Sequence, residues 1–144
     1  MSTVDDALTI FNQGYNCAQA VLMACGPELG MERETCTRVA AAFGAGIART
    51  GETCGAVTGA LMVLGLQHWD ITRTDAEAKA ALYQRAQEFL AQFTKQHHSV
   101  LCRDLLGCDL STPEGAALAR ERDFHHTLCP RFVQAAVELL AELK

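Results

Sequence analysis

"CGAVTGALMVLGLQHW", residues 54–69, is apolar on nearly every side, and whether it forms a strand or a helix decides the fold. Alanine and glycine are frequent in it and β-branched residues are few, which favours a buried helix over a strand. The neighbouring "VAAAFGAGIA", residues 39–48, has the same character, so the two read as central helices surrounded by others. Residues 75–98, "DAEAKAALYQRAQEFLAQFTKQHH", place Ala78, Leu82, Ala86, Phe89 and Phe93 at helical steps. "TDAE", residues 74–77, has the form of a capping box. The closing "RFVQAAVELLAELK" puts Phe132, Ala136, Leu139 or Leu140, and Leu143 on one stripe. Short polar or glycine-bearing turns separate the segments, without a repeat or long linker. These features predict an all-α, single compact domain over 1–144, with six to eight helices in an orthogonal or bundle-like arrangement.

Bulk properties narrow the function. The 144 residues are 49% hydrophobic and 20% charged, ordinary for one domain. The formal charge is −5 with neither sign gathered into a block, so nucleic acid is not an expected partner. The opening "MSTVDD" is acidic where a secretory signal needs positive charge, and the longest apolar run is shorter than a bilayer span of about 18–20 residues. The expectation is a cytoplasmic protein with no membrane partner.

Seven cysteines are many for this length. Their odd number and a reducing compartment argue against a disulfide framework and towards reactive or ligating thiols. No pair is close enough for zinc-knuckle, ferredoxin-type or thioredoxin-type spacing, so any site must draw on distant segments. Cys25 and Cys36 continue apolar stripes and read as buried small hydrophobes. Cys108 lies past a helix end and reads as auxiliary.

The remaining four sit at predicted helix starts. In "GYNCAQA", Gly14 ends one helix, Asn16 caps the next with Gln19 completing the box, and Cys17 falls in the first turn. Thr53 is the expected cap before Cys54, Ser99 the expected cap before Cys102, and Cys129 itself caps a helix that Pro130 begins. Helix N-termini favour a thiolate, and Cys54 is the expected most reactive thiol, with Arg49 close by. Gly55, Ala56 and Gly59 form a face with little bulk, open to a second helix, a partner subunit or a ligand. His125 and His126 precede Cys129 closely enough for an imidazole to lie near its sulfur.

"GYNCAQAV", "FGAGIARTGETCGAVTGALMVLGL", "CRDLLG" and a final isolated cysteine, in this order, resemble the redox-active proteins named for the pattern C_GCAxxG_C_C. The resemblance covers nearly the whole chain and carries onto Cys17, Cys54, Gly55, Ala56, Gly59, Cys102 and Cys129. One departure is that Thr53 precedes Cys54 and Gly55 follows it, where the pattern has glycine first. It implies thiol redox activity without naming a substrate.

Three readings follow. In the first, Cys17 and Cys54, with Cys102 or Cys129, alternate between thiols and a disulfide, with a redox partner protein. In the second, the same four thiolates hold a metal, an iron–sulfur cluster or another redox cofactor, with Gly55 and Gly59 beside it. In the third, the chain is a helical domain with inert cysteines, a homo-oligomer packed through its glycine-rich helix.

Overall fold

The first helix break falls at Gly14, as the capping chemistry predicts. The computed structural model describes residues 2–144, and Met1, the start of the acidic opening, lies outside them. Helix α1 (Thr3–Asn12) ends there, Gly14 takes φ 105°, and α2 (Cys17–Cys25) begins under a complete capping box. Asn16 Oδ1 accepts from Gln19 N at 2.9 Å, and Gln19 Oε1 accepts from Asn16 N at 3.0 Å. Asn16 Nδ2 also donates to the Ala41 carbonyl at 3.0 Å, tying the start of α2 to a distant loop. Asn16→Ala loses the cap and this tie together. We expect it to cost about 2 kcal/mol, read as a lower denaturation midpoint, and an unchanged midpoint would contradict the cap's role.

The other elements are α3 (Arg33–Val39), α4 (Gly44–Arg49), α5 (Gly55–His68), α6 (Ala76–His97), α7 (Cys102–Leu106), α8 (Pro113–Glu121), α9 (Phe124–Thr127) and α10 (Cys129–Glu142). Short 3-10 turns at Pro27–Leu29 and Ala41–Phe43 join them. The chain is an all-α single compact domain, and its described residues contain no strand. None of its described helices is long and apolar enough to cross a membrane.

Helices α2 and α5 make the closest pairing, with α1 and α10 packed against α2. Glycine sets the α2–α5 approach. A Cβ on Gly59 would stand 2.9 Å from the Ala18 carbonyl oxygen, and one on Gly55 3.0 Å from Ala18 N and 3.1 Å from Cys17 Cβ. The close helix contact expected of these small residues is therefore made inside the chain, where α2 and α5 cover one another. Around it lie the buried Phe11, Leu22, Val63, Phe89, Phe93 and the inner face of α10 from Phe132 to Leu140.

Two local expectations fail. Asp75 caps α6 through Ala78 N, one residue later than the capping box placed it. More consequentially, residues 39–48 form no central right-handed helix, and α4 is a left-handed turn. Helix α3 stops at Val39, and from Ala45 to Arg49 the backbone is left-handed, with φ between 54° and 69°. Such a conformation costs roughly 1–2 kcal/mol for each non-glycine residue. It persists because the surroundings hold it. Glu52 N donates to the Gly46 carbonyl at 2.9 Å, the Thr50 hydroxyl donates to Gly46 and Ile47, and Gly46 is wedged so tightly that a Cβ there would meet Cys102 Cβ at 2.6 Å.

Candidate functional site

All four cysteines placed at helix starts line one cavity of about 450 Å³. Cys17 opens α2 beneath the Asn16 capping box. Cys54 and Cys102 arrive together because Thr53 and Leu101 form an isolated antiparallel bridge. Cys54 N donates to Val100 O at 2.8 Å, and Cys102 N donates to Glu52 O at 2.7 Å. Cys129 opens α10 and is followed by Pro130, whose missing N–H costs nothing in a first turn.

Three of the predicted caps are displaced by one or more residues. Cys54 itself occupies the N-cap position of α5 without a side-chain cap bond, Leu101 rather than Ser99 precedes α7, and Leu128 rather than Cys129 precedes α10. Thr53 is taken up by the bridge, while Ser99 Oγ accepts from Leu101 N and donates to Asp104. The helix-start placement of the thiols survives these shifts.

Burial and mutual contact set their acidity. A hydrogen bond with Cys129, then burial, then the charges of Cys54, Cys129 and Cys102 push the Cys17 thiol well above its usual value. The same hydrogen bond draws Cys129 below its usual value, helped by its own backbone N–H and opposed by burial. Proximity to one another thus splits the pair, raising Cys17 and lowering Cys129. Cys54 is pushed up to about 11, chiefly by burial, although the N–H groups of Ala56 and Val57 pull the other way. Cys102 reaches about 12 through burial and the charges of Cys54 and Cys129. Cys54 is therefore not the most acidic thiol: its helix-terminal amides are present, but desolvation outweighs them. Cys129, only partly buried, takes that place.

The remaining cysteines stand apart from the cavity. Cys36 is fully buried with Sγ donating to the Met31 carbonyl at 3.5 Å, and Cys25 is buried in the core. Cys108 follows the left-handed Gly107 and is one of the charges acting on Cys102. A larger cavity, about 670 Å³, is lined by Cys25 and by none of the four.

Of the histidines, His125 lines the thiol cavity, stacked on Phe11 at 4.3 Å between centroids, with burial holding its pKa below the usual value. His126 instead binds the Asp123 carboxylate at 2.8 Å. His97 packs against Phe93 and Phe132. Gly55 lines the cavity as well as the α2 contact, whereas Gly59 faces α2. Among the described residues no three His, Cys, Asp or Glu side chains stand together as a ready metal-binding group.

Several wall residues were invisible to spacing. Phe11, Phe124, Phe132, Leu105, Leu106 and Leu110 make the cavity apolar, and Arg120 joins Arg49 in its lining. Arg49 lies near Cys54 in the sequence, but Arg120 is brought in only by the packing of α8. A family model described as "Putative redox-active protein (C_GCAxxG_C_C)" matches residues 15–143. No curated protein and no solved structure matches the chain.

Proposed function

The chain belongs to the C_GCAxxG_C_C family of redox-active proteins, and we propose that its working unit is a reversible dithiol–disulfide couple of Cys129 and Cys17. One observation carries this reading: Cys17 and Cys129 open two different helices yet line the same cavity, close enough that each thiol shifts the other's acidity, Cys17 upward and Cys129 downward. Such a split supplies an attacking thiolate and a protonated partner in one place. The Cys129 thiolate attacks one sulfur of a disulfide and expels the other as a thiolate. The Cys17 proton passes to solvent or to that leaving thiolate, and Cys17 sulfur then attacks Cys129 sulfur. The products are an internal disulfide and two reduced thiols, a transfer of two electrons. Cys54 and Cys102, held neutral by burial, keep further negative charge away from Cys129.

The test is to oxidise the reduced protein with one equivalent of hydroxyethyl disulfide and map the products by mass spectrometry. A Cys17–Cys129 bridge is the expected product. A bridge between other cysteines, or none, overturns the reading.

A second reading, a thiolate-ligated metal or iron–sulfur cluster, has four thiols in one cavity lining but needs them drawn closer together, since no three of them stand as a ready ligand group among the described residues. Binding would require Cys17, Cys54 and Cys102 to shed protons that burial makes them hold, and a cation's charge can supply that. Metal content and a visible spectrum of anaerobically purified protein distinguish this second reading.

A further inference from the structure

We propose that the substrate at Cys129 is a small anionic disulfide or thiol, with at least one carboxylate or comparable acidic group held by Arg49 and Arg120 in the lining of the thiol cavity. This rests on the dithiol reading above and adds the substrate's class to it. Apart from the thiols, the titratable side chains lining the cavity are Arg49, Arg120, Asp123 and His125. The Asp123 carboxylate is engaged by His126 at 2.8 Å, and burial favours neutral His125. Glu52, the acidic residue nearest Arg49 in the chain, is paired with Arg103 at 3.5 Å. Neither Arg49 nor Arg120 forms an ion pair among the described residues, so two guanidinium forks are free to bind an anion.

Two further observations point the same way. The chain carries a formal charge of −5, so two arginines without ion pairs in one cavity lining, with Asp123 the one carboxylate beside them, run against the average charge of the molecule. Arg49 also ends the left-handed turn, with φ 67°, in a conformation that few non-glycine residues adopt. That turn places Ala45, Gly46 and Arg49 together in the cavity lining. The volume, about 450 Å³, suits a small molecule, and Phe11, Phe124, Phe132 and Leu110 provide apolar surface for its carbon skeleton. In the reaction the Cys129 thiolate displaces one half of the bound disulfide as a thiolate. Cys17 displaces the other, so the substrate takes up two electrons and the protein retains an internal disulfide.

The experiment compares rates of reaction of the reduced protein with dithiodiglycolate, hydroxyethyl disulfide and cystamine, which are anionic, neutral and cationic. Each rate is divided by that of free 2-mercaptoethanol with the same disulfide. The expected order is dithiodiglycolate first by about tenfold or more and cystamine last, with the spread compressed by 0.5 M salt. Arg49→Gln and Arg120→Gln should each slow dithiodiglycolate about fivefold more than they slow hydroxyethyl disulfide, and Arg49→Lys should recover part of that difference. Equal normalised rates, or variants that slow all three reagents alike, overturn the proposal. Failure of every disulfide to produce the Cys17–Cys129 bridge would instead overturn the dithiol reading. Anion binding then has its own readout, protection of Cys129 from N-ethylmaleimide by adipate in the wild type but not in the arginine variants, and absence of that protection overturns it.

Discussion

Cys129→Ser is expected to abolish the fast phase of thiol alkylation at pH 7, whereas Cys54→Ser leaves it in place. Cys129 titrates below the ordinary thiol value of 9.0 and Cys54 at about 11, so their thiolate populations at pH 7 differ by about a hundredfold or more. A more acidic thiolate is a weaker nucleophile, and a Brønsted slope of about 0.4–0.5 removes roughly tenfold of that advantage. At least about tenfold remains, and the greater exposure of Cys129 adds to it. Mass-spectrometric labelling of the reduced protein with time resolves each cysteine. Cys17→Ala provides the complementary result, because loss of the hydrogen bond moves the Cys129 titration upward, seen in thiolate absorbance. A protein in which Cys54 labels first, or in which Cys17→Ala leaves the Cys129 titration unmoved, would contradict this account.

The second large effect is a loss of stability in alkali. In an unfolded chain thiols ionise near 8.5–9, but folding holds the protons of Cys54 and Cys25 until about 11 and that of Cys102 until about 12. Above about pH 9 the unfolded chain therefore binds fewer protons than the folded one. Stability present below that pH falls as pH rises, by about 1.4 kcal/mol per unit for each such thiol. Cys54 alone accounts for about 3 kcal/mol by pH 11, a large share of a typical total of about 5–15 kcal/mol. Cys129 acts in the opposite sense at lower pH, its depressed value favouring the folded state once the thiolate forms. Denaturant midpoints measured under reducing conditions should be nearly flat from pH 7 to 8 and then drop steeply towards pH 10.5. Cys54→Ala, which removes one titrating thiol, should make the drop shallower. A midpoint that holds steady to pH 10.5 would show that burial does not raise these thiols.

What the sequence by itself determined was local. Gly14 and Asn16 marked a helix break and a capping box because both act within four residues of themselves, and the structure contains both. Alanine-rich, weakly β-branched segments implied helices, and the Phe132 to Leu140 stripe of α10 faces inward as its period requires. The four cysteines were legible as helix-start residues for the same reason, even where the cap itself moved by one or two residues. Only the tertiary structure decided the rest. The left-handed turn at Ala45–Arg49 contradicts the intrinsic preference of its own residues, and is kept by hydrogen bonds from Thr50 and Glu52 and by the wedge of Gly46 against Cys102. The Thr53–Leu101 bridge that sets Cys54 beside Cys102, and the meeting of Cys17 with Cys129, join segments remote along the chain. The order of thiol acidity followed them, because helix-terminal amides act locally while desolvation and a thiol–thiol hydrogen bond depend on everything packed around the sulfur, and those terms favoured Cys129 over Cys54.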